Sequence, residues 1–198
     1  MNVLLPDLHG HGKSEGKAIQ MGWNDRKDIE QWIPIAERMF RDSHHPSRIV
    51  LHGVSMGAAT TMNVSGDKGV PSYVKAYIED CGYTSVRDEF ADQLKAQFGI
   101  PEFPLLPITS QLCQMKYGWN FYEANSLRQI AHCHRPMLFI HGDNDTYVPS
   151  WMVHPLYKAK PQPKELWITK DSEHAKSYKD YPEQYTAKVK AFVSKYFY

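Results

Sequence analysis

The chain has 198 residues, and a domain of this length can bury roughly 70% of the surface that its unfolded form exposes. Hydrophobic residues make up 42% and charged residues 23%, which indicates a globular protein with a single domain over residues 1–198. The chain has 23 Lys and Arg residues and 22 Asp and Glu residues, so it lacks the basic surplus that would argue for binding to nucleic acid or to an anionic membrane.

Short apolar runs alternate with amphipathic stretches, a pattern typical of βα units around a largely parallel sheet. The predicted strands are residues 2–6, 48–54, 74–79, 136–141 and 164–169. A helix is predicted to start near Asn24, with a kink or a restart at Pro34. A second apolar stripe predicts a closing helix over residues 182–196. The fold class is therefore α/β.

The segment 83–128, between the third and fourth predicted strands, is rich in aromatic residues and prolines. Its early part can be helical, whereas residues 101–107, Pro-Glu-Phe-Pro-Leu-Leu-Pro, are not expected to be. A segment of this length is more than a connector, so we interpret it as an insertion within the domain.

Three widely spaced cysteines, Cys81, Cys113 and Cys133, form no Cys-x-x-Cys pair and are interpreted as reduced thiols. No run approaches the roughly 18 apolar residues of a membrane span. Met1 is not followed by a signal-peptide pattern. These features predict a cytoplasmic chain without a membrane span.

The pentapeptide Gly53-Val54-Ser55-Met56-Gly57 follows an apolar strand and opens into a stretch that can run as a helix. Strand, sharp turn and helix together form the context of a nucleophile elbow, which exposes a serine in a strained backbone geometry. The two glycines are expected because side chains there would collide with neighbouring chain. Ser55 is therefore the candidate nucleophile.

A serine hydroxyl needs a base, normally a histidine that a carboxylate orients. The strand ending at His141 leads into a loop with Asp143 and Asp145, and the last strand leads into a loop with His174. Functional groups gather at the carboxyl ends of strands in an open α/β sheet. His174 is thus the candidate base, and Asp143 and Asp145 are the rival acids.

The elbow, the run His141-Gly142-Asp143-Asn144-Asp145 with Val148-Pro149, and the late His174 resemble the α/β-hydrolase superfamily, close to its serine aminopeptidase, monoglyceride lipase and esterase branch. Residues 6–16 resemble the loop after the fourth strand of that family. The resemblance covers nearly the whole chain. It implies an α/β-hydrolase core, a mostly parallel sheet flanked by helices, with residues 83–128 as a short cap-like insertion.

Residue by residue, the resemblance makes Ser55 the nucleophile, Asp145 the acid and His174 the base, while Asp143 bonds the turn backbone. It also gives the Met56 amide the role of one oxyanion donor. In the family about three further strands precede the strand predicted at residues 2–6, and a loop among them supplies the second donor. The chain thus resembles an N-terminally truncated member, with an exposed sheet edge through which a homodimer is possible.

These motifs and the resemblance together predict a serine hydrolase that cleaves a small-molecule carboxylic ester, or alternatively an amide, through a Ser-His-Asp triad and an acyl-enzyme. No cofactor is expected. No metal is expected either, because His9 and His11, or His132 and His134, have no carboxylate or cysteine set at ligand spacing. The alternatives are a non-catalytic or weakly active remnant and a peptidase on the same fold. The sequence identifies no substrate-binding residue.

Overall fold

A computed structural model describes residues 1–42 and 47–197. Four parallel strands form one sheet in the order β1-β2-β3-β4. They are β1 (Ile49–Val54), β2 (Val74–Asp80), β3 (Met137–Gly142) and β4 (Lys164–Thr169). Four of the five predicted strands are therefore confirmed, each to within one residue at either end.

The described helices are α1 (Asp25–Phe40), α2 (Met56–Ser65), α3 (Val86–Gln93), α4 (Leu105–Tyr117), α5 (Ser126–Ile130), α6 (Val153–Ala159), α7 (Ser177–Asp180) and α8 (Pro182–Tyr196). The predicted closing helix is confirmed as α8, whose first residue is a proline that needs no intrahelical donor. Helix α1 continues through Pro34, so the predicted restart is wrong. None of the helices described is both long and apolar enough to cross a bilayer.

Alternate residues of the central strands face two separate cores. Tyr77 and Phe139 pack on one side of the sheet with residues of α1, α2 and α6, while Ile78 and Leu138 pack on the other side against α8. The sheet is thus the middle of three layers, as the alternation of strands and helices predicts. Strand β2 is buried on both faces.

The predicted strand over residues 2–6 is wrong. Val3 and Leu5 are 66% and 87% exposed, and no described segment pairs with them. An extended run becomes a strand only when a neighbour accepts and donates its backbone hydrogen bonds. The apolar composition of these residues predicted a strand that has no partner within the described residues, and the outer edge of β1 has no strand partner there either.

Residues 83–128 contain α3, a π-helical turn at Leu94–Phe98, α4 and the start of α5. Trp119 and Phe121 are buried in a core of their own beneath α4, with Phe90 edge-on to Phe121 at 4.9 Å. Residues 105–107 open α4, so the expectation that the proline-rich run is not helical is wrong for its last three residues. Pro107 is tolerated because the amide it lacks belongs to the first helical turn.

Candidate active site

Ser55 lies at the turn between β1 and α2, with backbone angles φ 55° and ψ −117° that a residue with a side chain rarely adopts. Its amide donates to the carbonyl of Asp80 at 2.8 Å, which ties the turn to the next strand. A Cβ on Gly53 would lie 2.0 Å from the carbonyl oxygen of Gly57, whereas a Cβ on Gly57 would meet no atom within 4 Å. The expected collision is confirmed for Gly53 alone.

Three of the predicted residues meet above the carboxyl edge of the sheet in one hydrogen-bonded chain. Ser55 Oγ lies 2.8 Å from His174 Nε2. His174 Nδ1 in turn lies 2.8 Å from Asp145 Oδ2. This is the arrangement in which a histidine can take a hydroxyl proton while a carboxylate holds the ring and its tautomer.

Asp145 is held from several sides. Its Oδ1 accepts the amides of Tyr147 at 3.0 Å and Val148 at 2.9 Å, and the side chain has no solvent exposure. Burial by itself would raise the pKa of Asp145, but hydrogen bonds and positive charge from His141 and His174 outweigh it and hold the pKa below its usual value. The carboxylate is therefore ionised and fixed in orientation.

The rival acid, Asp143, is not part of this chain of hydrogen bonds. It is exposed, and its Oδ1 accepts the amide of Asp171 at 2.5 Å, so it joins the loop after β3 to the loop after β4. The carbonyl of Ser172 also accepts the amide of Asn144 at 3.1 Å. Gly142 permits this approach, because a Cβ there would lie 2.1 Å from the Ser172 carbonyl oxygen. These contacts set the spacing between the loops that carry Asp145 and His174.

His141 is a second buried histidine beneath Asp145, and sequence reasoning gave it no role. Its Nε2 lies 3.0 Å from the carbonyl of Val148 and 3.4 Å from Asp145 Oδ2. Burial would lower the pKa of His141, but the hydrogen bonds to Asp145 and to the Val148 carbonyl, together with the charge of Asp145, outweigh it and raise the pKa. Its position as the penultimate residue of a buried strand was the available signal, since a histidine there needs polar partners.

Cys81 follows β2 directly and was read only as a reduced thiol. The structure describes Cys81, Cys113 and Cys133 as free and buried. Cys81, Asp145 and His174 offer ligand atoms within 4.8 Å of one another, but Asp145 and His174 are already hydrogen-bonded to each other. Within the described ranges, that group of three does not include the histidine pairs weighed from the sequence.

Three acidic residues near this site have buried carboxyl groups. Desolvation raises the pKa of Glu79 to about 8 and that of Asp80 to about 6. Glu89, from α3, also has a pKa raised by burial to about 8, with the nearby charge of Asp145 adding to the effect. Burial thus favours the neutral form of these groups beside the ionised Asp145.

Two aromatic residues connect the site to the segment 83–128. The ring of Tyr147 lies 4.9 Å from the imidazole of His174 between centroids. The carbonyl of Tyr147 accepts a hydrogen bond from Gln93, and the indole of Trp151 donates to Asp92 at 3.1 Å. The end of α3 therefore contacts the loop that carries Asp145.

Comparisons with known proteins place this geometry in a family. Residues 1–198 match the sequence profile of the prolyl oligopeptidase family. The chain is 32% identical over 192 residues to the uncharacterized protein YqkD of Bacillus subtilis (strain 168), an alignment that covers 97% of this chain and 62% of YqkD. The chain therefore spans less than two thirds of that relative.

Solved structures show the same architecture. The esterase Pf2001 of Pyrococcus furiosus matches with a TM-score of 0.71 at 21% identity, covering 96% of this chain and 69% of the esterase. The acylaminoacyl peptidase of Pyrococcus horikoshii matches with a TM-score of 0.63 at 20% identity, covering 88% of this chain and 27% of the peptidase. The chain belongs to the prolyl oligopeptidase family and has the α/β-hydrolase fold inferred from its motifs.

Proposed function

We propose that this chain is a serine hydrolase that cleaves carboxylic esters, with Ser55 as nucleophile, His174 as base and Asp145 as the acid that orients His174. The observation that carries the proposal is the pair of 2.8 Å hydrogen bonds that connect Ser55 to His174 and His174 to Asp145. The strained backbone of Ser55 at the start of α2 supports it, because this geometry presents the hydroxyl to a substrate.

In the proposed reaction, Ser55 Oγ attacks the ester carbonyl and passes its proton to His174 Nε2. The ionised Asp145 stabilises the imidazolium that forms. His174 then gives the proton to the departing alcohol, which leaves an acyl group on Ser55. A water molecule, deprotonated by His174, hydrolyses this acyl-enzyme and restores the free serine.

The Met56 amide is the proposed oxyanion donor, because Met56 is the first residue of α2 and the helix offers its amide no acceptor. The proposal assigns no residue of the chain to a second donor. Removal of one such donor typically lowers turnover by about 10² to 10³. We therefore expect the Met56 amide to contribute strongly to turnover.

An apolar acyl group is part of the proposal, with residues 83–128 acting as a cap. The apolar cluster beneath α4 includes Ala59 from the helix after Ser55 and Val148 from the loop that holds Asp145. Trp119, Phe121 and Met152 complete the apolar surroundings. A charged acyl group held next to this apolar cluster would lose its solvation without gaining a partner, which favours an uncharged one.

A matched pair of substrates tests the reaction and separates it from peptidase activity. We expect p-nitrophenyl butanoate to be hydrolysed at least about 10² times faster than the corresponding p-nitroanilide, because an amide has the poorer leaving group. Ser55→Ala, which removes only the hydroxyl, is the control and should abolish ester turnover. Faster anilide cleavage would favour a peptidase, and equal ester rates for both proteins would favour a non-catalytic remnant.

The outer edge of β1, which has no strand partner among the described residues, supports a further part of the proposal, a homodimer in which this edge pairs with a second copy. Val54 on this strand is 44% exposed. The amides of Ile49 and Ser55 donate towards β2, so in the alternating strand the Val50 amide faces the outer edge. Sedimentation should then show a dimer that Val50→Pro dissociates, since proline removes that outward donor. A Val50→Ala control keeps the donor. A cytoplasmic location, predicted from the number and spacing of the cysteines, also remains part of the proposal.

A further inference from the structure

The outer side of α4 carries a row of exposed apolar side chains, which we name the outer stripe: Leu105, Ile108, Leu112 and Met115. Their exposed fractions are 43%, 55%, 57% and 75%. Spacings of three and four residues place them on one face of the helix. Just before α4, Phe98 and Phe103 are also exposed, at 66% and 74%.

Packing inside the domain does not require the outer stripe. Helix α4 is anchored by its other side, where Leu106, Ser110 and Cys113 are buried. Ser110 also accepts the amide of Phe121 at 3.1 Å, which fixes the helix to the aromatic core beneath it. The stripe is therefore a second apolar face on an already anchored helix, and such contiguous faces mark interaction surfaces.

The charges around the stripe favour one kind of partner. Lys116 is the one charged residue of α4, and Lys95 is exposed on the preceding π-helical turn. The acid between them, Glu102, is paired with Arg87 at 2.5 Å. Among the described residues 95–116 the two lysines are therefore balanced by no unpaired acid, and an apolar face in such a segment complements an anionic lipid surface.

A second copy of the chain fits this face less well. A stable protein interface engages roughly 20 to 30 residues on each side, far more than the stripe and the two phenylalanines provide. Two stripes brought together would also bring lysines of like sign close to one another. A bilayer surface needs no complementary shape and accepts separate apolar side chains at the headgroup boundary.

We propose that the outer stripe of α4, with Phe98 and Phe103, docks this chain on the surface of anionic phospholipid membranes. The balanced net charge provides no long-range attraction, so the apolar side chains supply the binding and Lys95 and Lys116 supply the preference for anionic lipid. Docking adds membrane recruitment to the proposed hydrolysis and does not depend on it. The contact between α3 and the loop of Asp145 places the docked segment beside the candidate active site.

Vesicle flotation with the full chain tests this docking. Vesicles of phosphatidylglycerol and phosphatidylcholine are compared with vesicles of phosphatidylcholine alone. We expect the double variant Leu112→Gln, Met115→Gln to partition at least about 10-fold less than the unmodified chain, because two exposed apolar side chains are lost. The control double variant, Ile19→Gln with Met39→Gln, changes side chains that are 54% and 59% exposed outside the segment, and its partition should stay within about two-fold.

Turnover of a water-soluble ester should be the same in the unmodified chain and the stripe variant, which separates a failure of docking from a failure of hydrolysis. Lys95→Gln with Lys116→Gln should remove the preference for anionic vesicles. No flotation of the unmodified chain, or equal loss in the stripe and control variants, would overturn the proposal. A dimer that the stripe variant dissociates, without any effect on flotation, would assign the stripe to self-association and overturn it as well.

Discussion

The candidate active site and the outer side of α4 are built differently. Around Ser55, Asp145 and His174, polar atoms are paired with neighbours from two strands and two loops. On the outer side of α4, apolar side chains project with little contact. In a site that must keep a fixed geometry, several hydrogen bonds hold each side chain. On a surface that meets a partner, the side chains make few contacts within the chain. Substitutions should therefore have large effects in the first region and small effects on stability in the second.

The largest expected effect concerns the acid. Asp145→Asn should lower ester turnover by roughly 10³ to 10⁴, because an amide cannot hold the same histidine tautomer and charge. Asp143→Asn, which alters only the contact with Asp171, should cost less than about 10-fold. Steady-state kinetics on p-nitrophenyl butanoate measure both. If Asp143→Asn were the slower enzyme, the wrong carboxylate would have been assigned.

His141 tests how far the hydrogen-bonded region extends. His141→Gln should lower kcat by roughly 10-fold to 100-fold with little change in KM, because it loosens Asp145 and the loop at Val148 without touching substrate. The pH dependence of kcat should shift as well, since a histidine with a raised pKa beside Asp145 is lost. A loss confined to thermal stability, with kcat unchanged, would reduce His141 to a packing residue.

The two glycines of the elbow give a matched pair for stability. Gly53→Ala should lower the free energy of unfolding by about 1 to 3 kcal/mol, because its Cβ would overlap the Gly57 carbonyl. Gly57→Ala should be neutral or slightly stabilising, since the added Cβ meets open space at the start of a helix. Urea denaturation measures both. Equal losses of unfolding free energy in the two variants would show that steric crowding in the elbow is not specific to Gly53.

A further effect is on the pH dependence of stability. The pKa of Glu79, about 8 in the folded chain, lies above the usual 4.5, so the folded state retains the proton longer than the unfolded state. The stabilising contribution of Glu79 to the free energy of unfolding should be complete below about pH 4.5. It should fall as the pH rises toward 8, by at most about 1.4 kcal/mol per pH unit. Glu79→Gln, which can still accept from Gly82, should flatten this fall. If the free energy of unfolding fell with pH as steeply in Glu79→Gln as in the unmodified chain, Glu79 would not be the group responsible.

The parts of the fold that follow from periodicity were predicted well. Residues 49–51 and 137–140 are continuous apolar runs, a pattern typical of strands in a parallel sheet that helices cover, and both runs lie in strands; β3 is buried throughout, whereas β1 is only partly buried. Residues 2–6 have a similar composition but no neighbouring strand among the described residues. Pairing is a property of two segments, so no local pattern can predict it.

The residues of the candidate site that directly follow a strand could be predicted from the sequence, because the ends of parallel strands lie at one edge of the sheet. Ser55, Asp145 and His174 each follow a strand and meet at one edge of the sheet. His141 and Cys81 were not assigned to the site, because their proximity to Asp145 depends on how β2 and β3 lie side by side. The outer stripe was missed for another reason, since aromatic composition does not say which residues of α4 lie inward.

The most direct test of the account is the site of labelling by a fluorophosphonate probe, which reacts with an activated serine independently of the natural substrate. The full chain is incubated with the probe, digested, and the adduct located by mass spectrometry. We predict one adduct, on the peptide that contains Ser55, with no labelling in Ser55→Ala and strongly slowed labelling in His174→Ala. An adduct on another residue, or labelling that persists in Ser55→Ala, would contradict the central claim that Ser55 is the activated nucleophile.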